Sequence, residues 1–201
     1  MKKLLCVGCA IVLCLSIASC GGASRDSAET VVENAIKAFQ SGDQATMQAY
    51  WGEEDSSGST SEEDVQAQEM VKLLSQDLTY KIIDSEENED SGTATVSVEF
   101  TNINMSEVFS IFMGEMFSAA FGYAFLPEDQ QPSDEEMNQM YMDKFAEVVE
   151  ENKDNIVTTE VDIPLTLVDN EWKINATEDV IDAMLGGLYS SANSMSEAFA
   201  E

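Results

Sequence analysis

Apolar residues recur at three- and four-residue intervals between residues 28 and 39, which is the spacing of a helix that buries one face. Asp26 and Glu29 have the spacing of a capping box at the start of this helix, and Gly42 follows its end. We therefore predict an amphipathic first helix. Its apolar stripe consists of Ala28, Val31, Val32, Ala35, Ile36 and Phe39.

Two shorter helical segments follow the first helix. Asp43 is a suitable N-cap for a second helix that continues to Trp51. Residues 53–64 are rich in Ser, Gly and acidic side chains, and they predict a loop. A third helix is predicted over about residues 62–76.

Four stretches have the pattern of strands and form two predicted hairpins. Residues 78–85 and 93–101 flank an acidic turn, and residues 93–101 alternate cleanly between apolar and polar positions. Residues 156–168 and 172–175 flank a second tight turn. Pro164 has no backbone N–H to donate, so we expect the third strand to be at an edge or bulged at that position.

The segment between the hairpins is unusually apolar. Ser106 is a suitable cap for a helix over residues 107–126, which Pro127 closes. Glu107 and Glu115 lie inside this helix and basic flanking residues are absent, which favours a buried or cavity-lining helix over one that touches a membrane.

The last two predicted helices have recognisable start signals. Ser133-x-x-Glu136 is a capping box before a helix that ends near residue 152. Thr177 caps a final helix, which Gly186-Gly187 stops. We predict a flexible tail over residues 191–201.

This order of elements predicts an α+β fold with an antiparallel sheet of about four strands, packed against the N-terminal helices. We expect a single domain over residues 26–190, with a helical insertion at 102–152 between the two hairpins. The chain beyond residue 19 has the length of one ordinary domain, so a second domain is not expected.

The first 19 residues have the organisation of an export signal. Two lysines precede an apolar stretch of 14 residues, Leu4 to Ile17, and the sequence Ile17-Ala18-Ser19-Cys20 matches a bacterial lipobox. We predict cleavage after residue 19, acylation of Cys20, and a tether over residues 20–25. Two acyl chains would hold the domain stably on the extracytoplasmic face of the cell membrane. An ordinary secretory signal with an incidental cysteine is the alternative.

Charge and cysteine content narrow the functional classes. The chain has 39 acidic and 9 basic residues, and two of the basic residues are in the signal. A solvated acidic surface of this kind repels nucleic acid, so no nucleic-acid partner is expected.

Three of the four cysteines also lie in the signal, and the chain has no histidine. The lack of histidine excludes Ser-His-Asp and Cys-His catalysis and the common zinc sites. No phosphate-binding glycine loop is present, and no cofactor is expected.

Two segments resemble a known family. They are VVENAIKAFQSGDQATMQAYW at 31–51 and IPLTLVDNEWKINATEDVIDAMLGGL at 163–188. They are similar to small Gram-positive bacterial lipoproteins with a domain of unknown function and a cystatin-like, nuclear-transport-factor-2-like fold. The resemblance covers roughly residues 27–51, 78–101 and 156–188. It implies a cone-like domain over residues 26–190, in which a curved antiparallel sheet encloses a conical pocket. It supplies no catalytic residues.

Three chemical alternatives have weaker support in the sequence. Alternating oxygen ligands between Asp84 and Asp90 suggest weak calcium binding, but they lack the glycine and glutamate of an EF-hand. Methionines at 113, 116, 137, 140 and 142 have spacings found in copper(I) sites, although core packing explains them better. Acid–base chemistry by two carboxylates is open because carboxylates are plentiful.

These observations leave three hypotheses about function. The first is a non-enzymatic binding module for a small apolar ligand or peptide, with a pocket lined by Phe109, Phe112, Phe117 and Phe121. The second is a structural or interaction protein of the envelope that acts through an apolar surface near 106–126. The third, more remote, is a carboxylate-dependent hydrolase or isomerase.

Overall fold

A computed structural model describes residues 25–51 and 62–200 of the chain. The predicted signal at 1–19 and the predicted acylation site Cys20 lie outside the described residues. Seven helices and four strands make up the described part. They are α1 (Ala28–Ser41), α2 (Gln44–Trp51), α3 (Glu62–Ser75), β1 (Thr79–Asn88), β2 (Thr93–Ile103), α4 (Met105–Tyr123), α5 (Asp134–Glu151), β3 (Ile156–Val168), β4 (Glu171–Ile174), α6 (Glu178–Met184) and α7 (Leu188–Ala200).

The strands form one antiparallel sheet in the order β1-β2-β3-β4, which confirms the predicted α+β class and the helical insertion between two hairpins. β3 lies between β2 and β4, but β4 pairs only with residues 165–168 of β3. At Pro164 the side of β3 away from β2 therefore has no partner strand, as predicted for an edge position, and the register with β2 shows no bulge there. Just beyond that pairing, the backbone N–H of Asn175 donates to the Pro164 carbonyl at 2.9 Å.

Helix α1 packs on one face of the sheet, and the main hydrophobic core lies between the helix and the sheet. Every residue of the predicted apolar stripe is buried, and so are the alternate positions of β2 that face it. The helix begins at Ser27, whose hydroxyl accepts from the Thr30 N–H, so the predicted cap at Asp26 is one residue too early. The largest buried side chains of this core are Ile36, Val32, Leu78, Val96, Val98, Phe100, Ile163, Leu165 and Trp172.

Polar contacts at both ends of α1 fix its direction along β1. At the start of the helix, the Ala28 N–H donates to Glu87 at 2.6 Å, next to the β1–β2 turn. At its end, the Gln40 amide donates to the Leu78 carbonyl at 2.7 Å. We call the end of the sheet with the β1–β2 and β3–β4 turns the turn end.

A second core forms at the opposite end of the sheet, where β2 passes into α4. Asn102 is 2 % exposed there, and its amide donates to the carbonyls of Leu74 and Met184 at 3.0 and 2.9 Å. One side chain thus joins the ends of α3, β2 and α6. The apolar members of this core include Leu74, Ile103, Met105, Val108, Phe145, Val148 and Val149.

Helices α4 and α5 form a helical hairpin that packs mainly on itself and on α7, rather than on the strands. Within α4, only Met105 and Val108 are buried, so the prediction of a buried helix holds for its first turn alone. Its cap is Asn104 and not Ser106. Among the described residues, no helix is both long and apolar enough to cross a membrane.

The chain after α6 differs from the predicted flexible tail at 191–201, because it forms helix α7. Gly186 and Gly187 both have positive φ values, 59° and 85°, and redirect the backbone after α6. Asp182 then accepts from the backbone N–H and the hydroxyl of Ser190, which stabilises the start of α7. α7 packs along α4.

Candidate functional site

An apolar cleft lies where the end of α1 meets α2 and α6. Its volume is about 280 Å³, near the lower limit of about 300 Å³ for small-molecule sites. Of the described side chains that line it, seven are apolar and the eighth is Gln48. The lining residues are Phe39, Met47, Gln48, Trp51, Ala176, Ile181, Met184 and Leu185.

Local sequence signals position α2 against the rest of the domain. Gly42 has a φ of 69° and allows the chain to reverse after α1, which glycine does without steric cost. Asp43 then caps α2 as predicted and accepts from the Thr46 N–H at 3.1 Å. Lys173 of β4 donates to the Ala49 carbonyl at 2.9 Å and holds the other end of α2. Met47 and Trp51, one helical turn apart, consequently face the cleft.

The other side of the cleft comes from α6 and the loop before it. Thr177 caps this helix as predicted, accepting from the Val180 N–H at 3.3 Å. In the helix that begins at this cap, the side chains of Val180, Ala183 and Met184 are buried in the main core. Ile181 and Leu185 are left at the edge of the core, where they line the cleft.

The indole nitrogen of Trp51 is the unusual feature of this site. Its Nε1 atom is buried and has no hydrogen-bond partner among the described residues. A buried polar atom of this kind is uncommon and calls for an explanation such as a bound water or ligand. Trp172 in the main core also has a buried Nε1 without a partner, but it does not line this cleft.

The four predicted ligand-binding phenylalanines lie on α4, outside the cleft. Phe112 packs edge-on against Phe145, with 5.3 Å between the ring centroids. Phe109 is half-buried, while Phe117 and Phe121 are 54 % and 70 % exposed. The structure therefore does not bring the four side chains together around one pocket. Phe121 instead contacts Phe125, which is 74 % exposed, at the tip of the helical hairpin.

The sequence alone does not predict the cleft, although it shows the helical spacing of several residues that line it. Met47 and Trp51 have helical spacing in the second predicted helix, and Ile181 and Met184 have helical spacing in the last one. The sequence does not show that these two helices line one cleft. Their proximity depends on the β3–β4 hairpin, which carries α6 back to α2.

Arg25, the first described residue, is held against the turn end of the sheet. Its guanidinium lies 5.1 Å from the ring centre of Trp172 and forms ion pairs with Glu87 and Glu89. These contacts fix the place where the predicted tether would join the domain. The turn beside it, residues 89–92, contains Glu89 and Asp90, the last two residues of the segment 84–90 that was a candidate for calcium binding.

The side chains of Glu33, Lys37 and Tyr80 form a polar contact between α1 and β1. Burial raises the pKa of Tyr80, whose hydroxyl donates to Glu33 at 3.5 Å, and a hydrogen bond from Lys37 lowers the pKa of Glu33. This contact lies outside the cleft. Within 25–51 and 62–200, no group of three or more His, Cys, Asp or Glu residues is placed to hold a metal ion.

Comparison with known proteins supplies no relative. No protein-family model matches the chain, and no curated protein or solved structure is similar enough to match it.

Proposed function

We propose that this chain is a lipid-anchored protein of the extracytoplasmic membrane face, and that its domain binds a small apolar ligand without chemical conversion. The cleft between α1, α2 and α6 is the observation that carries the binding role. It is concave and almost entirely apolar, as small-molecule sites usually are. The lipobox ending in Cys20 supports the location.

The anchor depends on a single atom, the Cys20 sulfur. Cys20→Ala should abolish incorporation of a radiolabelled fatty acid and leave the precursor uncleaved, as measured by gel mobility and mass spectrometry of protein from cells. Cys14→Ala changes a cysteine inside the predicted signal and should leave both unaffected. Normal labelling and membrane attachment of the Cys20→Ala protein would contradict the assignment.

Occupancy of the cleft is testable with a neutral apolar dye. Ala176 lines the cleft and is exposed, so Ala176→Phe places a ring in the binding space without disturbing the core. Nile red should bind the wild-type domain with a blue-shifted emission, and its affinity should fall at least about tenfold in Ala176→Phe. That loss corresponds to about 1.4 kcal/mol of binding free energy.

Ala146→Phe is the matched control, because Ala146 is exposed on α5, away from the cleft. It adds the same ring and should leave the affinity for Nile red unchanged. If both variants bind the dye as tightly as wild type, the dye occupies another surface and the cleft is not the binding site.

A further inference from the structure

We infer that the free edge of β3 is a docking surface for an extended, basic peptide segment of a partner protein, which adds to the sheet as a strand antiparallel to β3. The surface consists of residues 156–162 of β3 and the groove between this edge and α6. It shares no lining residue with the apolar cleft, so the inference does not depend on the proposed function.

The backbone of β3 supplies the hydrogen-bonding groups for an added strand. The Leu167 N–H donates to the Gly92 carbonyl, which is on the β2 side of β3. The Pro164 carbonyl accepts from the Asn175 N–H, which is on the opposite side. Because the register with β2 is unbroken from 156 to 166, the two sides alternate regularly along the strand. The N–H and C=O groups that point away from β2, where no described strand pairs with them, are those of residues 156, 158, 160 and 162.

The other free edge of the sheet, along β1, is less suited to accept a strand. Its register with β2 shifts between Ile82 and Asp84. A bulge of this kind twists an edge strand and hinders its pairing with another chain. The free part of β3 has no such irregularity, so it presents a regular ladder of donors and acceptors.

The groove beside this edge gives room for side chains of the incoming strand. Its volume is about 650 Å³, and it is lined by residues of β3, of α6 and of the loop after α6. Val157 and Val161 line it and are only partly buried, and Thr159 between them is exposed. These three residues are on the same face of β3 as Ile163 and Leu165, which the main core buries. Small aliphatic side chains of a partner strand fit this uncovered part of the face.

Charge determines the kind of partner. Glu160, Asp162, Asp179 and Asp182 all line the groove, and the described residues that line it include no Lys or Arg. A second copy of the same edge would bring like charges together, which is unfavourable. Residues 52–61 of this chain contain three acidic residues and no basic residue, so they are equally unsuited. Lys or Arg side chains on the strand are complementary to this edge.

The alternation of β3 also fixes where the basic residues belong. The side chains of Glu160 and Asp162 are on the face opposite Ile163. In an antiparallel pair, residues that exchange hydrogen bonds have side chains on the same face. Partner residues that bond to 158, 160 and 162 should therefore be basic, and the residues between them aliphatic.

The peptide acetyl-KVKVKVK-amide has this pattern and spans residues 156–162. Calorimetry should show saturable binding to the wild-type protein, and acetyl-EVEVEVE-amide should bind at least about tenfold more weakly. N-methylation of the lysine amides removes the donors that face β3, and should weaken binding at least about tenfold. N-methylation of the valine amides is the matched control, because these groups face solvent, and should change the affinity by less than about twofold.

Two variants of the protein test the same surface. Thr158→Pro removes one N–H of the free edge, and Pro164 already shows that a proline with this orientation is compatible with the pairing to β2. Affinity for the lysine peptide should fall roughly three- to tenfold in Thr158→Pro. Thr158→Val, which removes the hydroxyl and keeps the N–H, is the control and should bind as wild type does. Glu160→Lys should weaken binding about three- to fivefold, and Glu135→Lys, on α5, by less than about twofold.

Hydrogen exchange of the wild-type protein gives a readout that needs no variant. The bound lysine peptide should slow exchange of the amides of 158, 160 and 162, and leave the amides of 157, 159 and 161 unchanged, because these already face β2.

Several results would overturn the inference. Equal affinities of the lysine and glutamate peptides would show that the edge does not select for charge. Equal effects of the two N-methylation patterns would rule out an antiparallel added strand, and absence of saturable binding by the lysine peptide would remove the docking surface. A dimer of the protein that Thr158→Pro converts to a monomer would make a second copy the occupant. None of these results changes the expected binding of Nile red in the cleft, so the proposed function is tested separately.

Discussion

At the scale of single residues, Gly186 is the described glycine at which an added Cβ atom would have the closest contact. A Cβ atom at this position would lie 2.1 Å from the carbonyl oxygen of Ile103, and the residue has a φ of 59°. Its own carbonyl accepts from the Ser106 N–H at 3.2 Å. Gly186 therefore allows the end of α6 to contact the β2–α4 junction directly.

Gly186→Ala should destabilise the domain by more than about 2 kcal/mol, since it combines a backbone clash with a left-handed conformation. Gly42→Ala is the matched control. Gly42 has a similar φ of 69°, but a Cβ there meets nothing within 4 Å, so only the conformational cost of about 1–2 kcal/mol applies. Urea unfolding measures both, and equal losses would show that the close approach to Ile103 does not matter.

The hydrogen bond between Ser106 and Gly186 also explains why the cap of α4 is Asn104 and not the predicted Ser106. Asn104 and Ser106 are both good caps, and local pattern alone does not choose between them. The choice depends on the Ser106 N–H bonding to Gly186, a residue 80 positions away in the sequence. Asn104 then caps α4 by accepting from the Glu107 N–H at 3.3 Å.

At the scale of secondary-structure elements, the start of α5 shows how a local motif stabilises a helix. Ser133 and Glu136 form the predicted capping box, with the Ser133 N–H donating to the Glu136 carboxylate at 2.8 Å. Hydrogen bonds from the backbone and hydroxyl of Ser133 lower the pKa of Glu136 below its ordinary value of 4.5. The carboxylate is therefore favoured in the folded state.

A lowered pKa gives a stabilisation that is present above about pH 4.5 and is lost as the pH falls through the folded-state value. Glu136→Gln should reduce stability at neutral pH and flatten the decline of stability below pH 4.5. Urea midpoints measured across that range test this. Glu135→Gln removes a charge from the same turn without touching the capping box, and an identical pH profile for both variants would contradict the assignment.

The elements differ in how far the sequence could predict them. α1 and β2 each have one apolar face with a clear period, and the structure confirms both sets of buried residues. α4 is apolar on nearly all sides, so periodicity could not say which side chains meet a partner. That is why Phe112 contacts Phe145 while Phe121 is exposed. The cleft was not predictable because it needs two helices that the sequence separates by more than a hundred residues.

At the scale of the whole molecule, charge is the dominant property. The chain has 39 acidic and 9 basic residues, and the folded domain concentrates negative charge that an unfolded chain would spread over a larger volume. The ion pairs of Lys37, Lys144 and Lys153 are on the surface and offset little of this repulsion. The main core must therefore stabilise the fold against an unfavourable long-range field.

Raising NaCl from about 0.01 M to about 1 M shortens the Debye length from about 30 Å to about 3 Å, and should raise the urea midpoint of the domain steadily. KCl should have the same effect, because screening depends on ionic strength rather than on the cation. A midpoint that stays constant or falls would show that self-repulsion does not limit stability. A response to calcium at micromolar levels would instead point to a specific site at the acidic turn.

The position of Arg25 has a consequence for how the molecule would stand on a cell. Its contacts with Trp172, Glu87 and Glu89 mean that a short lipidated tether would draw the turn end of the sheet toward the headgroups. The strands would then run outward from the bilayer. The end of α1 beside Phe39, and beyond it the helical hairpin, would project toward the surroundings of the cell. A solute arriving from outside would thus meet the cleft before it met the membrane.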